Sequence, residues 1–151
     1  MNSLSAVLEA RRGESGPVVL ANGCFDVLHV GHIRYLRAAA SLGGILVVAI
    51  NDDISARRLK GEGRPVFHEP ERAEILLALE SVDYVLSFGE GTVDDIIRIL
   101  RPDFHAKGTD YTVETVPEIE TARSVGCEIV IVGDPKDHSS NEIISRIRPE
   151  D

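Results

Sequence analysis

The chain has 151 residues, 43% of them hydrophobic and 27% charged, values that suit one folded domain over residues 1–151 with one substantial core and no disordered tail. Its formal net charge of −9 gives no general attraction to nucleic acid or to an anionic membrane surface, so neither is expected as a partner and any phosphate site must be built locally. The amino terminus lacks the basic-then-apolar pattern of a signal peptide, and a cytoplasmic protein is expected.

Ser3 to Arg12 reads as a short helix closed by Gly13, and Pro17 to Ala21 as a buried strand. From Gly31 to Leu42 the apolar residues Ile33, Leu36, Ala39 and Ala40 recur at helical spacing, and Gly43-Gly44 supplies the stop. A second strand covers Ile45 to Ile50; Gly44 to Ile50 is the longest apolar run and is too short to cross a bilayer. Arg57, Arg58, Lys60 and Arg64 then form a basic segment, which reads either as a solvated face or as part of a phosphate site. A Glu- and Leu-rich helix from about Glu69 to Glu80 follows, then a strand Tyr84 to Phe88 and a helix Val93 to Leu100 ended by Pro102. A strand Phe104 to Lys107, a helix around Pro117 to Val125, a strand Glu128 to Val132 and a helix Ser140 to Ile147 complete the chain.

Short apolar strands alternating with helices imply an α/β fold, a single Rossmann-like, doubly wound, three-layer domain around a five-stranded, mainly parallel sheet. Ligands of such folds bind beyond the carboxyl ends of the strands, where the strand order reverses. The loops after the first, second, fourth and fifth strands are therefore the candidates. The two cysteines, Cys24 and Cys127, form no C-x-x-C pair, which suggests neither a disulfide framework nor a zinc site, and Cys24 reads as a small filler.

The first of these loops runs Asn22-Gly23-Cys24-Phe25-Asp26-Val27-Leu28-His29-Val30-Gly31-His32, from strand through a glycine-containing turn into a helix start. Neither the dinucleotide fingerprint nor the P-loop pattern is present, so another phosphate device is needed. His29 and His32 lie three apart where the helix begins, beside its free N–H groups and positive end. They read either as donors to phosphate oxygens or as surface or capping histidines. No Cys, Asp or Glu at suitable spacing completes a metal set with them. Gly31 between them leaves room for a triphosphate to approach the backbone.

Gly23-Cys24-Phe25-Asp26 followed by His29-Val30-Gly31-His32 resembles the cytidylyltransferase-like nucleotidyltransferase superfamily with its H-x-G-H signature. Within it the likeness is to bacterial heptose 1-phosphate adenylyltransferases, carried also by Arg58-Leu59-Lys60-Gly61 with Arg64-Pro65, Glu71-Arg72, Leu79 to Asp83, Lys107-Gly108-Thr109-Asp110-Tyr111 and His138-Ser139-Ser140. Only the amino-terminal helix, residues 1–13, falls outside it.

The resemblance implies transfer of a nucleoside monophosphate from ATP to a sugar 1-phosphate, with Mg²⁺ bound through the nucleotide phosphates and pyrophosphate released. His29, His32 and Lys60 would be catalytic. Asn22, Gly23, Cys24, Phe25 and Gly31, with Ser139, Ser140 and Asn141 where the family has Ser-Thr-Thr, would bind the nucleotide; ordinary helix capping is the other reading of that last segment. Asp26, Arg72, Lys107, Gly108 and Asp110 would bind the acceptor, although Arg72 beside Glu69, Glu71 and Glu74 could equally make surface pairs. Lys60 and Lys107 are expected exposed, in loops. The partners implied are small molecules, with a possible homodimer. Two other readings stay open: a cytidylyltransferase using CTP and glycerol 3-phosphate or another alcohol phosphate, and a silent nucleotide-binding regulatory module.

Overall fold

A computed structural model describes residues 1–135 and 137–148. The elements are α1 (Asn2–Ser15), β1 (Val18–Gly23), α2 (Val30–Ala40), β2 (Ile45–Asn51), α3 (Asp53–Lys60), α4 (Glu69–Leu77), β3 (Tyr84–Phe88), α5 (Asp94–Leu100), β4 (Phe104–Lys107), α6 (Ile119–Val125), β5 (Glu128–Ile131) and α7 (Ser140–Ile147), with a short 3₁₀ turn at Val113–Thr115. All four strand pairings are parallel and the strand order is β3-β2-β1-β4-β5.

Side chains alternate across a strand, so each strand feeds both faces of the sheet. Val18 and Leu20 of β1 with Ile45, Val47 and Ala49 of β2 meet Leu8 of α1, Ile96, Ile97 and Leu100 of α5 and Ala122 of α6. The intervening Val19 and Ala21 with Leu46, Val48 and Ile50 meet Leu36 and Ala39 of α2 and Leu76 of α4. Two apolar layers thus sandwich the sheet and bury its central strands on both faces, which explains why β1 and β2 carry almost no polar residue.

The chain lays down β1, β2 and β3 outward in one direction and then returns to place β4 on the other side of β1. A crevice opens at that reversal, between the carboxyl ends of β1 and β4. β1 runs two residues beyond its expected end, because Asn22 and Gly23 keep pairing with Ala49 and Ile50.

One helix has no counterpart among the expected elements. The basic segment lies largely in α3, whose N-cap Asp52 accepts from the Ser55 N–H at 2.7 Å and whose last turn carries Arg57, Arg58 and Lys60 against its negative end. Only Ser55 and Ala56 of α3 are buried, so no apolar periodicity announces it.

Candidate active site

The loop after β1 departs from ordinary backbone. Phe25 and Val27 adopt left-handed conformations, with φ of 50° and 51°. Such a residue without glycine's freedom costs about 1–3 kcal/mol and persists only where the surroundings over-determine it. Here they do. The Phe25 ring packs on His32 and Tyr35, with centroids 5.3 and 6.2 Å away. The intervening Asp26 carboxylate accepts from Arg64 Nε at 2.8 Å, from Val66 N at 2.7 Å and from Phe67 N at 3.0 Å. Burial pushes that carboxyl up, but the N–H groups of Phe67 and Val66 and the Arg64 guanidinium outweigh it and hold it below the usual range. The acid expected to bind acceptor is instead a fixed anchor of the loop.

His29 is the N-cap of α2, and the two histidines cap the helix reciprocally. The Gly31 N–H donates to Nδ1 of His29 at 3.1 Å, and the His29 N–H donates to Nδ1 of His32 at 3.3 Å. Both Nδ1 atoms are therefore acceptors, which assigns the proton of each neutral ring to Nε2. The rings lie 3.8 Å apart between centroids, inclined by 25°. The capping and phosphate-donor readings are thus compatible, since one nitrogen of each ring caps and the other is a donor.

Gly31 has a structural reason beside the expected room for a triphosphate. A Cβ there would stand 2.9 Å from Cε1 and 3.0 Å from Nδ1 of His29, so the glycine admits the imidazole that caps its own helix.

A cavity of about 490 Å³ opens over these groups. Every residue expected in the site lines it except Arg72. Lys60 reaches it from the exposed end of α3 rather than from a loop.

Lys107 is not the exposed loop lysine expected; it ends β4 and is 6% exposed. Its ammonium donates to Asn22 Oδ1 at 3.3 Å, sits 4.5 Å from the Tyr111 ring centroid and lies 3.9 Å from Glu118. Burial lowers its pKa from the ordinary lysine value, with Glu118 and Asp110 opposing. Gly108 and Asp110 follow at the rim, where a Cβ on Gly108 would meet the Asp110 carboxylate at 3.0 Å. Thr109 ties this loop to the one after β5 through a 2.9 Å bond to the Asp134 carbonyl.

Beneath Lys107, His105 is fully buried with its Nε2 3.0 Å from Asn22 Oδ1. Burial, aided by the Lys107 charge, pushes its pKa down to about 3. The unfolded chain would bind that proton near pH 6.5 while the folded protein refuses it, so stability must rise with pH between those values. The protein is expected to lose up to about 1.4 kcal/mol per pH unit from this group as pH falls from about 6 to 4.5, above the range of the carboxylates. Urea unfolding of His105→Asn against wild type at pH 7 and pH 5 checks this; equal pH slopes would refute it.

Arg72 is 1% exposed, and its bonds run elsewhere than to the glutamates beside it. Nε donates to Phe67 O at 2.9 Å, Nη1 to Cys24 O and Asn51 O at 2.8 Å each, and Nη2 to Asp53 Oδ1 at 2.9 Å. It joins the ends of β1 and β2 to the starts of α3 and α4, and is a structural brace rather than a substrate ligand. Cys24 lies buried with Sγ 3.4 Å from Asn51 Oδ1, and burial pushes its thiol up, in keeping with a filler.

At the start of α7, Ser139 is the N-cap and accepts from Glu142 N at 3.1 Å. The Ser140 hydroxyl donates to the Asp26 carbonyl, and Asn141 Oδ1 accepts from Arg64. These side chains attach α7 to the loop after β1, directly through Ser140 and by way of Arg64 through Asn141. Tyr35, Asn51, Glu118 and His138 also line the cavity, beyond the residues expected there. Of these, Asn51 carries a positional signal in the sequence, at a strand's carboxyl end, and His138 adjoins the Ser139-Ser140 segment.

The cytidylyltransferase-like family matches residues 20–146, starting within β1 and leaving α1 outside. The chain is 48% identical over 145 residues to the bifunctional protein HldE of Syntrophotalea carbinolica and 44% identical over 144 residues to that of Pelobacter propionicus, covering 96% and 95% of this chain. It spans about 30% of the length of those relatives. Among solved structures, the lipopolysaccharide core biosynthesis protein of Thermoplasma volcanium superposes with a TM-score of 0.67 at 30% identity, over 80% of this chain and 98% of the other. Pantothenate synthetase of Thermus thermophilus superposes at 0.64 with 17% identity, over 92% and 65%, a likeness of fold alone. On the extent of these matches, and with H-x-G-H placed at the start of a helix beneath a cavity at the sheet's reversal, the chain belongs to the cytidylyltransferase-like family.

Proposed function

We propose that this chain is a nucleotidyltransferase that transfers the nucleoside monophosphate of ATP to a sugar 1-phosphate, a heptose 1-phosphate, and releases pyrophosphate. The observation that carries the reading is the pair of Nε2–H donors from His29 and His32, pre-oriented by their reciprocal caps at the positive end of α2. The single domain would act in the cytoplasm on small molecules, and a homodimer is the assembly implied by resemblance.

An oxygen of the acceptor phosphate is already an anion, so no general base or protein nucleophile is required. It attacks the α-phosphorus; that P–O bond forms as the bond to the bridging α–β oxygen breaks, and the electron pair leaves on pyrophosphate. His29 and His32 stabilise the charge that gathers on the α-phosphate oxygens, with backbone groups of Gly23 to Phe25 and the starts of α2 and α7 holding the phosphates. Lys60, across the cavity, offsets the repulsion between two anionic reactants. Mg²⁺ would enter with the nucleotide and offset part of its phosphate charge. Lys107, with Gly108 and Asp110, would receive the acceptor, and the hydrogen-bonding Asp110, Thr109 and Tyr111 suit a polyhydroxylated sugar better than glycerol. The likeness of Arg58 to Gly61 and of Lys107 to Tyr111 to heptose 1-phosphate enzymes supports that choice.

The test is a pyrophosphate-release screen crossing ATP and CTP with heptose 1-phosphate, other sugar 1-phosphates and glycerol 3-phosphate. ATP with heptose 1-phosphate is expected to be fastest. A preference for CTP with glycerol 3-phosphate would overturn the substrate while keeping the reaction. Nucleotide binding without pyrophosphate release on any acceptor would establish the regulatory reading.

A further inference from the structure

A third imidazole extends the pair. His138 lines the same cavity from the loop between β5 and α7, one residue ahead of the α7 N-cap. Its ring lies 6.3 Å from that of His29, inclined by 25°. The loop carrying His138 packs over the start of α2, close enough that a Cβ on Gly31 would be in ordinary van der Waals contact, 3.5 Å from Cβ of His138. His32, His29 and His138 therefore form a row that runs from the start of α2 toward the start of α7.

The third ring differs from the other two in its proton. The Nδ1 atoms of His29 and His32 accept from backbone, whereas Nδ1 of His138 faces the Asp137 carboxylate at 2.5 Å. A carboxylate only accepts, so this Nδ1 carries the proton and donates it. The Asp137 carboxyl is held below its usual range chiefly by that bond. With Nδ1 donating to Asp137, Nε2 of His138 can donate to an anion only in the imidazolium form, a cation with Asp137 behind it. Two neutral donors suit the α-phosphate, where charge changes during the reaction. A cation suits the part that carries the most negative charge before and after.

We propose that His138 is a phosphate-binding residue for the β- and γ-phosphates that depart as pyrophosphate, with Asp137 as the positioning residue that holds its Nδ1 proton. The assignment rests on the nucleotide-site reading above. His138 contributes to affinity for the triphosphate and for pyrophosphate, and His29 and His32 contribute to the rate of transfer.

Calorimetric titration of wild type, His138→Ala, Asp137→Asn and the double variant with MgATP, AMP and magnesium pyrophosphate tests this. In His138→Ala, affinity for ATP and for pyrophosphate is expected to fall about tenfold while AMP affinity stays within about twofold, as loss of one charge-assisted bond requires. Asp137→Asn should weaken ATP in the same sense, and the double variant should be no weaker than His138→Ala, which a merely structural role of Asp137 would not produce. The side chain of His138 is 40% exposed, so the variants should fold. Unchanged ATP and pyrophosphate affinity in His138→Ala would overturn the assignment while leaving the nucleotide site standing, and so would an equal loss for AMP and ATP. Wild-type protein that binds neither ATP nor CTP would overturn both.

Discussion

Replacing His32 with alanine is expected to lower kcat by about 100-fold or more, the usual cost of removing one donor aimed at developing charge. The structure also predicts a small, separable loss of stability. Nδ1 of His32 accepts from the His29 N–H at 3.3 Å, and losing such a cap costs about 1 kcal/mol. In a domain of this size that lowers Tm by roughly 2–4 °C. His32→Asn offers the discriminating control: its amide oxygen can still accept from the His29 N–H, but nothing replaces the donor at Nε2. Tm should recover and turnover should not. A folded His32→Ala protein that kept more than about a third of the wild-type rate would sink the role assigned to this histidine.

The largest effect on stability is expected at Arg72. Replacing it with methionine keeps much of the buried volume but leaves the carbonyls of Cys24, Asn51 and Phe67 without this donor, and removes the cation beside Asp53. Breaking one partner of a buried, charged network costs about 3–5 kcal/mol. A fall in Tm on the order of 10 °C follows, with reduced yield of folded protein. Urea unfolding monitored by circular dichroism measures it. If Arg72→Met unfolded like wild type and only its KM for the acceptor rose, Arg72 would be a substrate ligand after all.

Those two residues also mark where sequence reasoning reaches and where it stops. The H-x-G-H segment is legible because its spacing, a strand before it and a helix after it all agree, and the cavity lies where such a turn must place it. The two central strands are legible for a similar reason: burial of β1 and β2 on both faces leaves an unbroken apolar run such as Ile45 to Ile50, a pattern that neither a solvent-facing strand nor a loop produces. Arg72 misleads because glutamates stand beside it along the helix, whereas its actual partners are carbonyls 5, 21 and 48 residues away in sequence. Lys107 misleads for the related reason that the end of a strand says nothing about what folds over it. Tyr111 and Glu118, arriving from the segment after β4, enclose that ammonium. α3 escapes because its two buried residues, Ser55 and Ala56, are small and one is polar. At Gly31 the sequence does not show the second demand on its missing side chain, which is the ring of the histidine that caps the same helix.

The manner in which α7 is held has a consequence for how the molecule moves. None of its residues is buried, and its first turn is fastened by Ser140 to the Asp26 carbonyl and by Asn141 to Arg64. An element held by a few polar bonds opens at a much smaller free energy than the two apolar layers, so α7 can detach while both remain intact. The Ser140 tether ends on the loop that contains the left-handed Phe25 and Val27, and the Asn141 tether on the Arg64 that holds Asp26, so detachment also withdraws constraints that keep that loop in place. A ligand that bridges the starts of α2 and α7 would oppose this opening by mass action, by about 2.7 kcal/mol at a hundredfold excess over Kd. Filling the cavity and stiffening its walls are thereby a single event, and product keeps a route out that leaves the core undisturbed.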